Sequence, residues 1–446
     1  MKRTCLCLML LAGLARAGAA ATKPDSAAAG PRVPGAHDKS YIYDLIDQSV
    51  IRPITRTFDA ALIARKIGNA PREAADVDDH DQVRLPSTWW QPRIGFRTVT
   101  VDQMMKGPGP GTGPAPVPWT ITRAKSQGVS PGFQIKDSKG QKFVIKFDPP
   151  QFPESATGAD VIGSYLFWAA GYNVPENSVA YFKSGDLQIA PDAVYTDSHG
   201  AKKKMNAAYL GQMLAKVARQ RDGSYRCMAS RYLSGKPLGP FEYSGRCKDD
   251  PEDLVPHELR RELRGLWAVA AWVNHADARG ANTLDMWETA NGRSFVRHYL
   301  IDFGSILGSS AIPIQRDYST GAEYYVDYRS IARELPTLGL WEAKWEGVVD
   351  PQIAAVGFVE GDLFDPGGWR PDYPNPAFDE KTPRDARWGT RIVAAFTDEH
   401  IKAAVAAARY TDPRASDYLV QVLIQRRDKL VHHWLGSGSS PIVTTP

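Results

Sequence analysis

Apolar residues recur at helical spacing along several stretches of the chain, and short β-prone runs lie between them. Over 257–274, Leu259, Leu263, Leu266, Trp267, Ala270 and Val273 fall on one face, which predicts a strong amphipathic helix. Over 156–170, Val161, Ser164, Tyr165 and Trp168 share a face, and Gly171 supplies a stop. Two further helices are predicted at 398–410 and 416–435, the second packed through Leu419, Leu423, Leu430 and Trp434. Nearer the N-terminus, 40–67 contains a helix with Ile42, Leu45, Ile46 and Val50 in phase. Strands are predicted from 119, at 133–136 and at 142–147, joined by a small-residue loop and by the turn Asp137-Ser138-Lys139-Gly140. Residues 226–233 read as another strand running into a hinge, and Asn291-Gly292 between two β-prone runs signals a hairpin over 283–301.

Punctuation divides the chain. A positive start, Met1-Lys2-Arg3, precedes an apolar run to Leu14, with small-residue cleavage sites by residue 20. This reads as a secretory signal peptide over 1–20, too short to span a bilayer, and implies a secreted or periplasmic protein. Residues 21–37 are rich in Ala, Gly and Pro and are expected to be disordered. An N-terminal extension follows over 38–118 and ends in the Gly/Pro-rich linker 107–116. Strands then dominate 119–232 and helices dominate 233–435, with a disordered tail expected over 436–446. No later stretch is apolar enough for a membrane span. The acidic run 76–81 lacks the glycine and closing glutamate of an EF-hand loop and reads as a solvated loop. Arg426-Arg427-Asp428-Lys429 likewise reads as a solvated helix face.

The chemistry concentrates at the end of the 257–274 helix. Asn274-His275-Ala276-Asp277-Ala278-Arg279-Gly280-Ala281-Asn282 is followed, across the predicted hairpin, by Asp302-Phe303-Gly304. Phosphoryl transfer needs a carboxylate to orient the attacking group, and an amide and a second carboxylate to hold Mg²⁺ against the phosphates. Asp277, Asn282 and Asp302 have those types, and Asn282 follows Asp277 by the five positions of H-R-D-L-x-x-x-N. A hairpin returns the chain to its start, so Asn282 and Asp302 should meet. Lys146 closes a half-buried strand, where a lysine is costly unless paired. Asp160 on the following helix is the preferred partner, Glu154 the other candidate. Gly128, Ser130 and Gly132 in the loop before the lysine strand are candidates to offer backbone N–H groups to phosphate. No Walker A sequence occurs, which disfavours a P-loop NTPase.

Together these residues resemble the protein-kinase-like superfamily, in its HipA-type, CotH-type and phosphoinositide-kinase-type branches. The interval from Asp160 to Gly171 is similar to that of HipA-type proteins. Lys146-Phe147-Asp148-Pro149, Gly171-Tyr172-Asn173-Val174-Pro175, the stretch 256–265 and Trp272-Val273-Asn274-His275-Ala276-Asp277 look like a family of secreted bacterial kinase-like proteins. That likeness runs over about 89–435. The resemblance implies a two-lobed α+β kinase-like fold, with a β-rich N-lobe and a mainly helical C-lobe behind an N-terminal extension. It implies ATP and Mg²⁺ as cofactors, with Lys146 anchoring ATP, Asn282 and Asp302 binding the metal, and Asp277 serving the acceptor hydroxyl. Arg279 would offset charge on the transferring group, and His275 would brace the loop. The acceptor is a protein or small molecule that the residues do not name. Two departures stand: Asp replaces Glu at 160, and a glycine-rich motif is missing.

Loss of Lys2, Arg3 and Arg16 with the leader takes the formal charge from +4 to +1, so no broad nucleic-acid footprint is expected. Cys227 and Cys247 remain, as a disulfide or as two separate buried thiols. Three function classes stay open: an exported kinase, a kinase-fold AMP transferase, and a binding or scaffold module without turnover. A glycoside hydrolase built on Asp277 and Asp302 would leave Lys146 and its helix unexplained.

Overall fold

The computed structural model describes residues 32–37, 44, 46–125, 130–197, 200–310, 319–337 and 340–436. The expected leader, most of the 21–37 segment, Gly128 and the tail after 436 lie outside them. The chain from Pro34 onward forms one compact unit.

Strands β1 (Trp119–Ala124), β2 (Gly132–Lys136) and β3 (Lys142–Lys146) form an antiparallel meander. With β4 (Asn177–Phe182), β5 (Leu187–Thr196), β6 (Lys202–Lys204) and β7 (Tyr225–Arg231) they make a seven-stranded sheet ordered β4-β7-β3-β2-β1-β5-β6. Side chains alternate across each strand. Trp119, Ile121, Phe133, Ile135, Phe143 and Ile145 therefore share one buried layer, packed with Leu210 and Leu214 of the short helix Ala207–Leu214. Lys146 follows Ile145 and points to the opposite face. There Val161 of the helix Ser155–Ala169 packs with Val179 and Met228.

The second half is mainly helical. Strand β8 (Lys236–Gly239) joins the hairpin of β9 (Thr283–Ala290) and β10 (Arg293–Leu300) in a small antiparallel sheet. The hairpin turns at Asn291, φ 53°, and Gly292, φ 75°, the left-handed pair a type I′ turn requires. The helices Arg261–Val273, Pro383–Ala394, Asp398–Ala407 and Pro413–Leu435 pack into one core with the helix Ser155–Ala169. The chain is thus a mixed α+β fold, β-rich first and mainly helical afterwards, as expected. None of the described helices is long and apolar enough to cross a membrane.

Several local expectations are corrected. Within 40–67, where a helix was expected, the described residues form a π-helical turn Asp47–Ile51 and helices Arg52–Thr57 and Ala60–Ile67, the last capped by Asp59; Ile42 and Leu45 of the expected face lie outside the described residues. The 257–274 stretch begins as a 3₁₀ turn, His257–Leu259, and its α-helix Arg261–Val273 is buried on all sides. Its arginines are paired: Arg261 with Asp81 and Asp385, and Arg264 with Asp385. The acidic run is not simply solvated. Asp76 accepts the Arg261 N–H at 2.8 Å, and Asp81 pairs with the Arg261 guanidinium. An acid at a helix N-terminus meets unpaired N–H groups and the favourable end of the helix dipole. Arg426 is buried too, and donates to the carbonyls of Ala271 at 2.6 Å, Trp272 at 2.9 Å and Glu360 at 2.9 Å. It caps the C-terminal end of the helix that carries Asn274. Cys227 and Cys247 are both free thiols, and Cys247 is partly exposed.

Glu262 of the same helix is fully buried, with Arg260 as its ion-pair partner at 3.7 Å. Among the described residues no hydrogen-bond donor satisfies either of its oxygens, nor Asp76 Oδ2. Burial first, and the neighbouring Asp76 second, push its carboxyl well above the usual range. A group whose pKa rises on folding contributes stability below its unfolded pKa and loses it as pH climbs toward the folded value. Glu262→Gln should therefore gain stability over wild type as pH rises from 5 to 8, by up to about 1.4 kcal/mol per pH unit. Urea unfolding at several pH values measures this; a difference constant with pH would show that Glu262 does not titrate on unfolding.

Candidate functional site

Lys146 ends β3 in the middle of the sheet, between β2 and β7, and is 9% exposed. Its ammonium lies 2.7 Å from Asp302 Oδ1 and 3.2 Å from Asp160 Oδ2. Burial disfavours the charge, but the two carboxylates outweigh it and raise the lysine above its ordinary value. Glu154 does not share this role: it lies at the start of the helix Ser155–Ala169 and accepts from the Thr411 N–H at 2.7 Å.

The helix carrying Asp160 is fixed at both ends. Asp148 accepts the Thr157 N–H at 3.0 Å and pairs with Arg226 of β7. At the other end Gly171, φ 109°, passes so close to Trp90 that a Cβ would lie 2.1 Å from its indole nitrogen. In between, Gly163 lets the helix approach the Asp302-Phe303-Gly304 segment. A Cβ at 163 would lie 2.5 Å from Phe303 Cβ. Asp160 Oδ1 accepts the Phe303 N–H at 2.7 Å while Oδ2 faces Lys146. That closeness lets the short side chain of Asp160, the expected partner, reach Lys146. Burial raises Asp160 to about 6. Asp302, with φ 60°, is held at about 2, because Lys146 and then Lys125 outweigh its burial.

The helix Arg261–Val273 ends at Asn274, which adopts the left-handed conformation at φ 52°. Asn274 is anchored by Trp369 Nε1 at 2.8 Å, and the His275 N–H returns to the Ala270 carbonyl at 2.7 Å. The His275 ring packs against Phe167 and Phe303, which stack on each other at 4.7 Å. Burial holds its imidazole down at about 4, so it is neutral at pH 7 and braces the loop. Asp277 accepts from Asn282 Nδ2 at 2.8 Å and lies 2.6 Å from Arg279 Nε. Burial pushes its carboxyl up, against Arg279 and Asn282. The Arg279 guanidinium is engaged further by Asp44 at 3.0 Å and lies over the Tyr373 ring.

The hairpin closes the site. Its register runs to Leu300 opposite Thr283, and one step beyond, the Ile301 N–H donates to the Asn282 carbonyl at 3.0 Å. Asn282 is thus one residue from the start of Asp302. With its Nδ2 spent on Asp277, its Oδ1 is the atom left for a cation. The Asp302 side chain is 39% exposed and ionised. An amide oxygen and a carboxylate are the hard donors Mg²⁺ takes, with phosphate and water completing its shell. Among the described residues no group of three or more His, Cys, Asp or Glu forms a metal site by itself.

Of the three loop candidates, Gly128 lies outside the described residues. The Ser130 carbonyl accepts from Lys125 Nζ at 3.2 Å. Gly132 pairs with Lys146 across β2 and β3, and a Cβ there would meet the Ile145 carbonyl at 2.3 Å. Sequence reasoning passed over Lys125, Asp44 and Asp148. Asp148 carried a signal, an acidic residue between a strand and a helix, whereas Asp44 and Lys125 matter only through folding.

No protein-family model and no curated protein matches the chain. Solved structures are similar at low scores. A Helicobacter pylori proinflammatory kinase, CtkA, is 11% identical with a TM-score of 0.37, covering 71% of this chain and 95% of that one. The Golgi casein kinase with Mn/ADP bound is 8% identical with a TM-score of 0.34, covering 74% and 75%. Another structure of the Golgi casein kinase is 8% identical with a TM-score of 0.32, covering 93% and 98%.

Gly163→Val tests the contact that sets this geometry. Forcing a branched side chain against Phe303 should cost about 1–3 kcal/mol, read as a lower urea midpoint, with Gly163→Ala costing less. An unchanged midpoint for the valine variant would mean that the helix does not press on Phe303.

Proposed function

We propose that the chain is an exported kinase-like phosphotransferase that uses Mg-ATP to phosphorylate a hydroxyl of a protein or small molecule. The observation that carries the reading is the Lys146 ammonium held between Asp160 and Asp302, with Asp160 also holding the Phe303 N–H. In this reading Lys146 binds ATP phosphates, and Asn282 and Asp302 are the residues that would hold Mg²⁺. The metal, when bound, would neutralise charge on the phosphates. Asp277 orients the acceptor hydroxyl and takes its proton as the oxygen bonds to the γ-phosphorus and the bond to the ADP oxygen breaks. Its raised proton affinity suits that task. Arg279 sits against Asp277 and orients it. The leader pattern of residues 1–20 supports export.

A second reading, a binding module without turnover, draws on one observation. Asp277 is already engaged by Arg279 and Asn282, and Arg279 by Asp44. Product formation separates the two, and product mass separates phosphoryl from adenylyl transfer.

The test is thermal unfolding with and without Mg-ATP. At a hundredfold excess over Kd, binding to the folded state adds about 2.7 kcal/mol, a rise of several degrees. Asp302→Ala should lose the Mg²⁺-dependent rise. A variant that responds like wild type would remove Asp302 from the metal site, and a wild type without a response would remove the nucleotide.

A further inference from the structure

Lys125 is the first residue after β1. Its N–H donates to the Gly132 carbonyl at 2.9 Å, so the backbone closes here onto the start of β2. Its side chain runs beside Gly132: a Cβ on that glycine would lie 3.3 Å from Lys125 Cδ. Gly132 is the ladder partner of Lys146. The absence of a side chain at 132 therefore brings the stem of one lysine alongside the strand position of the other. The Lys125 ammonium donates to the Ser130 carbonyl at 3.2 Å, and among the described residues it makes no ion pair. An ammonium has three N–H donors, and that carbonyl takes one.

The electrostatics agree with this placement. Burial first, and Lys146 second, lower Lys125 to about 8, while Asp302 and Asp160 pull it back. In return Lys125 helps keep Asp302 ionised. Around Lys146 the two carboxylates already outnumber the ammonium they hold. Lys125 is the further cation at the same space, half-buried and without a carboxylate of its own. A desolvated cation with spare donors suits an anion that arrives with its own charge. A polyphosphate seated against Lys146 is such an anion.

We propose that Lys125 is a phosphate-binding residue of the nucleotide site, engaging the polyphosphate alongside Lys146. Its side-chain donors would then do the work for which kinases use a glycine-rich backbone, the motif the sequence lacks between these strands. The inference rests on the nucleotide-binding reading of Lys146 and Asp302.

Lysine acylation by dilute acetic anhydride, mapped by peptide mass on the full chain, provides the test. Mg-ATP should protect Lys125 about tenfold, and adenosine should not. Lys125→Gln should weaken Mg-ATP about tenfold, the size of a lost charge-assisted hydrogen bond, with adenosine affinity unchanged and Lys125→Arg restoring most of the loss. A lysine that merely closes the loop would weaken both ligands alike or neither. If Mg-ATP raises the unfolding midpoint while Lys125 is acylated equally with and without it, the inference fails and the nucleotide site stands. If Mg-ATP raises no midpoint, the nucleotide reading fails and takes this inference with it.

Discussion

A lysine ammonium shielded from water must be compensated, and at Lys146 the compensation comes from two distant parts of the chain. Burying a charge is costly unless it is paired and hydrogen-bonded. Asp160 arrives on a helix and Asp302 at the end of a hairpin, and both reach the one ammonium. The sheet, the helix and the second half of the fold must therefore all be in place before the lysine is satisfied. Asp160 ties the last two together directly, because its other oxygen holds the Phe303 N–H. Removing either carboxylate would leave the lysine half-paired. Removing the lysine would leave the buried Asp160 facing the Asp302 carboxylate with no cation between them.

The surrounding structure supplies what this junction needs. Asp148 and Arg226 fix the start of the Asp160 helix to β7. Arg426 caps the carbonyl end of the Arg261–Val273 helix, from which the Asp277 loop departs. Phe167, Phe303 and His275 fill the space between those two helices with aromatic rings. Rigid elements thus end at the site, and the polar side chains project from their ends.

What was legible in the sequence was local. Asn291-Gly292 named the hairpin, and the hairpin brought Asn282 next to Asp302. The run 142–147 marked a half-buried strand whose lysine needs a charged partner. The Asp160 partnership could be read because the helix comes directly after the strand. What was not legible depends on chain returning from far away. Arg426 looks like one more basic residue on a polar helix face until the carbonyls of Ala271 and Trp272 are brought to it. Asp76 and Asp81 look like a solvated acidic loop until the Arg261 helix begins beside them. Lys125 gains meaning only from Gly132, whose missing side chain has no signature apart from any other glycine. Burial on all sides of the Arg261–Val273 helix was hidden for the same reason, since its arginines look solvated until Asp385 pairs with them.

The N-terminal segment shows how such long-range pairing bears on the chemistry. Arg52 pairs with Glu242, Arg56 with Asp379 and Arg65 with Glu380, so the helices after residue 51 are stitched to the second half of the fold by arginine–carboxylate pairs. Asp44 belongs to the same segment and reaches Arg279. The Arg279 guanidinium is then shared between two carboxylates, Asp44 at one terminal nitrogen and Asp277 at Nε. Arginine suits this position because its planar fork holds two acids in fixed directions, where a lysine would act as a point charge. Shared in this way, Arg279 neutralises Asp277 only in part, and burial still raises the proton affinity of that carboxylate. The N-terminal segment therefore bears on the Asp277 carboxylate through a single arginine.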